Sequence, residues 1–136
     1  MNIWYTAIFI KEPEKLIHRF PPKHKKVFAH HVTIEFKPKS LDGIEVGKHW
    51  NLEVIGRAMN KKGDALLVRG SKSKNKYPHI TLSCASGVKP FYSNELIERA
   101  VQEKTVDYFK EPFFVEGVEG YADLKGQVFT NESTKP

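Results

Sequence analysis

Two stretches decide how this sequence is read: Ala29-His30-His31-Val32-Thr33-Ile34-Glu35 and Tyr77-Pro78-His79-Ile80-Thr81-Leu82-Ser83. Each contains histidine, an aliphatic residue, threonine and a second aliphatic residue. The offset is 79 − 31 = 48 residues, and the match selects His31 rather than its neighbour His30. The composition of both stretches predicts strands, in which successive side chains point to opposite faces. His31 and Thr33 therefore share one face, and Val32 and Ile34 the other. His79 and Thr81 likewise share a face, opposed to Ile80 and Leu82. Each strand presents an imidazole and a hydroxyl about 7 Å apart, two steps of about 3.3 Å, with aliphatic side chains anchoring it from behind.

Brought together, two histidines and two threonines suit an anionic tetrahedral group. A neutral histidine removes a proton from an attacking hydroxyl or water, and a protonated one supplies a proton to the leaving oxygen. Imidazole serves both tasks because its pKa lies near neutrality. The threonines donate hydrogen bonds to non-bridging phosphate oxygens. This set calls for no metal and no cofactor, and it leaves open which histidine is base and which is acid. A single His-x-Thr-x strand is commonplace. Two of them, each after a lysine-rich loop (residues 23–26 and 72–76), are harder to ascribe to coincidence.

Further candidates surround the motifs. Lys89 follows the second motif in a glycine-containing loop and is a candidate phosphate contact; Ser83 and Ser86 are additional oxygen ligands to consider. Tyr5, Phe28, Tyr77 and Phe91 are candidates for stacking a nucleobase. Tyr77 is preferred, because it lies two residues before His79 and thus on the same face. Trp4, Phe9 and Phe36 are assigned to the core. His30, on the side of Val32, is expected to be partly buried and structural. His18, His24 and His49 lack metal-ligand spacing. Cys84 faces the core by parity and reads as an inert thiol.

Along the chain, Ile3 to Ile10 reads as a buried strand. Pro13 opens a short helix with Leu16, Ile17 and Phe20 on its apolar face. Strands are expected from Phe28 to Phe36, Trp50 to Ala58, Ala65 to Val68 and Pro78 to Cys84, with a turn over Lys61-Lys62-Gly63-Asp64. Ser93 or Asn94 can cap a helix from Glu95 to Glu103. Thr105 to Phe109 and Phe113 to Leu124 look extended, with Gly117 and Gly120 as kinks or bulges, and residues 127–130 form a last short strand. The pattern is α+β with mainly antiparallel pairing. One domain over 1–130 and a flexible C-terminal tail over 131–136 are expected.

The 136 residues can bury a core without staples. A single cysteine excludes an intrachain disulfide and any multi-thiolate zinc site, and accords with a cytoplasmic protein. The first ten residues read as a strand, not a signal peptide. No apolar run approaches the roughly 20 residues of a membrane span. The net charge of +6 favours an anionic partner.

The tetrapeptides His31-Val32-Thr33-Ile34 and His79-Ile80-Thr81-Leu82 resemble the two signature motifs of the 2H phosphoesterase superfamily. That superfamily includes cyclic phosphodiesterases, RNA 2′,5′ ligase/phosphodiesterases and the phosphodiesterase domains of tRNA ligases. The stretch from Gly87 to Leu96 is also similar to the segment leading into a helix in RNA-repair-type members. The resemblance implies two similar lobes, each a small antiparallel sheet with a helix outside, and a cleft between them holding both motifs. It implies metal-independent phosphodiester chemistry on nucleotides, often 2′,3′-cyclic or 2′,5′-linked. The roles carry over to His31, Thr33, His79 and Thr81.

The expectation is therefore a monomeric phosphodiesterase that cleaves a cyclic or 2′,5′ bond of a nucleotide or RNA end, with no membrane partner. Its rivals are degradation of a cyclic oligonucleotide or oligoadenylate signal, and a non-catalytic nucleotide- or RNA-binding module.

Overall fold

The β-branched and aromatic run Ile3–Ile10 forms strand β1. Pro13, with its φ preset for a first turn, opens helix α1, Pro13–Arg19. There follow β2 (Lys26–Val27), β3 (His31–Phe36), β4 (His49–Met59), β5 (Gly63–Arg69), β6 (His79–Cys84), α2 (Tyr92–Glu103), β7 (Asp107–Asp123) and β8 (Val128–Phe129). The computed structural model describes residues 2–131. Apart from Asn131, the expected tail over 131–136 lies outside the described residues.

Six strands close into a barrel in the order β1-β3-β6-β5-β4-β7, with β7 returning to β1. Every pairing is antiparallel, and β2 and β8 add to β6 and β7 beside the ring. This overturns the two-lobed α+β expectation. The physical reason is β7. Thr105–Phe109 and Phe113–Leu124 read as separate pieces, but 107–123 is one 17-residue strand. One of its edges pairs with β4 from Asp107 to Val118, and the other with β1 from Gly117 to Asp123. A strand with both edges occupied joins what would have been two sheets. The helices do not supply two lobes either. Leu16 of α1 packs with Phe20 into the barrel core, and only α2 lies on the outer wall, its Leu96, Ile97 and Ala100 against Ala58, Ala65 and Leu67.

The interior is filled by Ile8, Val32, Leu52, Val54, Leu66, Ile80 and Leu82, among others, all fully buried. Truncating such a side chain typically costs about 2–5 kcal/mol. Two buried carboxylates bind segments across the barrel. Asp64 accepts two guanidinium hydrogen bonds from Arg57 (2.9 and 3.0 Å), which also donates to the Pro21 carbonyl (2.8 Å), and accepts from the Ser83 hydroxyl (2.8 Å) and the Lys23 amide (3.0 Å). Glu119 accepts from the Trp50 indole (2.9 Å), the Glu45 amide (2.7 Å) and Lys72 Nζ (2.7 Å).

Several local expectations are corrected. Gly117 and Gly120 are not bulges: the β1–β7 register runs unbroken from Tyr5↔Ala122 to Ile10↔Gly117. Gly120 is required because a Cβ there would collide with the Phe129 carbonyl on β8. The strand expected from Phe28 to Phe36 is interrupted at Ala29, whose φ of 60° lies in the left-handed region. The Phe28 and Ala29 amides still reach β6, donating to the Leu82 and Thr81 carbonyls. That interruption exposes His30 instead of burying it beside Val32. Trp4 and Phe36 are 40% and 53% exposed, not core, whereas Phe9 is buried. Helix α2 begins at Tyr92, earlier than the polar caps indicated, with Phe91 as its N-cap.

Candidate active site

Strands β3 and β6 are neighbours in the ring, with Val32 opposite Ile80. Both of those side chains are fully buried in the barrel. Strand alternation then turns His31, Thr33, His79 and Thr81 outward together. An antiparallel ladder centred on Val32↔Ile80 sets His31 beside Thr81 and Thr33 beside His79. The motifs, 48 residues apart (79 − 31), thus form one patch in which each histidine neighbours the other strand's threonine. The patch lies on the outer barrel wall rather than between lobes. The start of α2 bounds one side, and Tyr5 and Phe9 of β1 the other.

The two imidazoles are held differently. His79 is 7% exposed. Its Nδ1 lies 2.8 Å from the Tyr77 carbonyl. A carbonyl only accepts, so Nδ1 carries the proton and the neutral ring presents a bare Nε2. Burial lowers the His79 pKa, against the opposing pull of that carbonyl. His31 is stacked on the Tyr5 ring at 4.6 Å and flanked by Phe9 at 5.7 Å. Its Nδ1 is buried with no hydrogen-bond partner among the described residues. Burial first, then the charges of His30 and His79, push its pKa from 6.5 down to about 4. Burial thus favours the neutral form of both rings in the free protein.

The threonines differ as well. Thr81 Oγ1 lies 2.8 Å from the hydroxyl of Ser93, in the first turn of α2, and 3.4 Å from the Pro90 carbonyl. Thr33 is half-buried, and its carbonyl accepts a 2.6 Å hydrogen bond from Ser73 Oγ. Ser93, 1% exposed, was not signalled by the sequence, where it read only as a helix cap.

Of the remaining candidates, Lys89 is exposed in the loop before α2, one residue from the Pro90 carbonyl that faces Thr81. Tyr77 packs its half-buried ring toward the α2 cluster, with Lys76 Nζ 5.5 Å from the ring centre. Tyr5 packs on His31. Phe91 is 76% exposed at the start of α2. Ser83 is fully buried on Asp64 and so is removed from ligand contact. Cys84 is buried, and burial together with nearby Asp64 raises its thiol pKa, which keeps it inert. Among the described residues no three His, Cys, Asp or Glu side chains converge on a point that could hold a metal, and no helix is long and apolar enough to cross a membrane.

Residues 17–131 match the family model of the fungal tRNA ligase phosphodiesterase domain. The chain belongs to that family. It is a family of the 2H phosphoesterase type, in agreement with the paired motifs. The matched span includes both motifs and α2, and leaves out β1, whose Tyr5 and Phe9 wall the site. By family the chain is a phosphodiesterase of RNA processing. No curated protein matches the chain.

Proposed function

We propose that this protein opens the 2′,3′-cyclic phosphodiester at an RNA end by two-histidine acid–base catalysis. The observation that carries the reading is the juxtaposition of the motifs across Val32↔Ile80, which turns two imidazoles and two hydroxyls to one face. Family membership supports phosphodiester hydrolysis and an RNA substrate.

In this reading water attacks phosphorus, and His79 Nε2 takes its proton as the P–O bond forms. Opposite, His31 Nε2 gives a proton to the ribose oxygen as the second P–O bond breaks, leaving a phosphomonoester and a free hydroxyl. The tautomer of His79, fixed by the Tyr77 carbonyl, favours it as the base. His31 begins neutral, and the bound phosphodiester anion opposes its depressed pKa by stabilising the imidazolium. Thr33 and Thr81 hold the non-bridging oxygens, with Lys89 as an added cation and the Tyr77 ring as a base contact.

The test is hydrolysis, in the presence of EDTA, of a nucleoside 2′,3′-cyclic phosphate, an RNA ending in one, 2′,5′-oligoadenylate and cyclic dinucleotides. Wild type is run beside His31→Ala and His79→Ala. The expected result is turnover of the cyclic ends, lost in both folded variants. Turnover indifferent to both histidines overturns the mechanism, and bound RNA recovered intact makes the chain a binding module.

A further inference from the structure

The two lysine-rich loops, alike in sequence, differ in the fold. In the second, Lys72, Lys74 and Lys76 are neutralised by Glu119, Glu35 and Glu98 at 2.7, 3.0 and 3.3 Å. In the first, Lys25 and Lys26 are exposed, and so are Lys61 and Lys62 in the β4–β5 turn. None of these four forms an ion pair among the described residues.

These four lysines come from distant parts of the chain to one place. Lys26 on β2 and Gly63 on β5 both pair with Cys84, on opposite edges of β6. The His24 imidazole lies 2.8 Å from the Asn60 carbonyl, and the Lys62 carbonyl accepts from the Ala85 amide at 2.9 Å. At about 3.3 Å per residue, Cys84 is about 10 Å along β6 from Thr81. This basic ridge thus lies beyond the end of the second motif on β6. Phe91 stands at the seam. Its neighbour Tyr92 accepts a 2.9 Å hydrogen bond from Asn60, and Lys62 Nζ lies 5.6 Å from the Tyr92 ring.

We infer that this ridge is the docking surface for the RNA strand leading to the reacting end, with backbone phosphates on Lys25, Lys26, Lys61 and Lys62 and a base on Phe91. The inference rests on the function proposed above and adds the part of the substrate beyond its terminal nucleotide. Unpaired cations in a row attract a polyanion through counterion release. An exposed aromatic ring among them accepts any base by stacking, as single-strand binders do. A free mononucleotide would fill the His–Thr patch and leave the ridge bare.

The experiment compares wild type with Lys26→Glu/Lys61→Glu/Lys62→Glu, and with a control carrying Lys37→Glu/Lys39→Glu/Lys125→Glu. Each acts on a nucleoside 2′,3′-cyclic phosphate and on a single-stranded RNA ending in one. The ridge variant should hydrolyse the mononucleotide as wild type does and lose kcat/KM on the RNA, while the control keeps both. Four phosphate contacts at about 0.7 ions each make wild-type KM for RNA rise about 50-fold between about 50 and 200 mM salt, and the ridge variant, which keeps only Lys25, should lose most of that slope. Equal RNA kinetics in ridge variant and wild type overturn the ridge and leave the catalytic reading intact. If wild type cleaves neither substrate, anisotropy of a labelled 3′-phosphorylated RNA decides: binding lost in the ridge variant alone upholds the surface, and binding unchanged in it, or absent from wild type, overturns it.

Discussion

The hydroxyls of Thr81 and Ser93 lie 2.8 Å apart, joining the second motif to the first turn of α2. When Ser93 donates, the Thr81 proton is free for the phosphate oxygen that the proposed mechanism assigns to it. Without Ser93 the remaining partner is the Pro90 carbonyl at 3.4 Å, which draws that proton away.

Ser93→Ala should therefore lower kcat/KM on a 2′,3′-cyclic substrate roughly fivefold, about 1 kcal/mol, the usual net worth of such a bond. In a Thr81→Val background the same change should cost nothing more. Equal losses in both backgrounds would assign Ser93 a purely structural part.

His31 makes stability depend on acidity. Its folded pKa of about 4 lies below the ordinary 6.5, so the unfolded chain binds more protons between those values. The stabilisation from burying a neutral ring is complete above about pH 6.5 and is lost as pH falls toward 4, to a limit of about 3 kcal/mol. Urea denaturation across this range should show a gentler acid loss in His31→Asn. Parallel curves for the two proteins would refute the burial account.

The Tyr5 ring, stacked at 4.6 Å, shields His31 from water. Tyr5→Ala should let the His31 pKa rise toward its ordinary value, followed by NMR titration of the imidazole. Tyr5→Phe keeps the stack and should leave the titration in place.

Asp64 is fully buried and bonded to Arg57. Asp64→Ala leaves the Arg57 guanidinium, whose side chain is only 14% exposed, without its carboxylate and with the Pro21 carbonyl alone, and should cost about 3–5 kcal/mol in denaturant unfolding. The same loss detaches the Lys23 amide and the Ser83 hydroxyl, so mobility should rise first in the 21–26 segment.

The motif face was legible because period-two alternation is local: from His31 to Ile34 and from His79 to Leu82 parity alone separates site from core. Closure was not, because nothing near Phe113 or Val118 reveals that one strand will meet both Leu52 and Phe9. Phe36 and Trp4 were misplaced for a related reason. An aromatic side chain in a strand predicts contact with something, and in a closed ring half of every strand faces outward. Ala29 carried no signal, since its left-handed conformation rests on tertiary contacts: its amide on the Thr81 carbonyl, the Phe28 amide on Leu82, and its methyl group buried in the barrel core. Ser93 looked like a cap because a hydroxyl's partner across 12 residues cannot be read from its neighbours.

The β1–β7 seam has a bearing on how the protein is made. Ile3–Ile10 emerges from the ribosome with one partner in β3, while its other edge waits for residues 117–123. Until then the nascent chain holds an unpaired, apolar strand edge, the kind of surface that recruits chaperones or sticks to another copy. Its folding should be slow and late, as for other chains dominated by distant pairings.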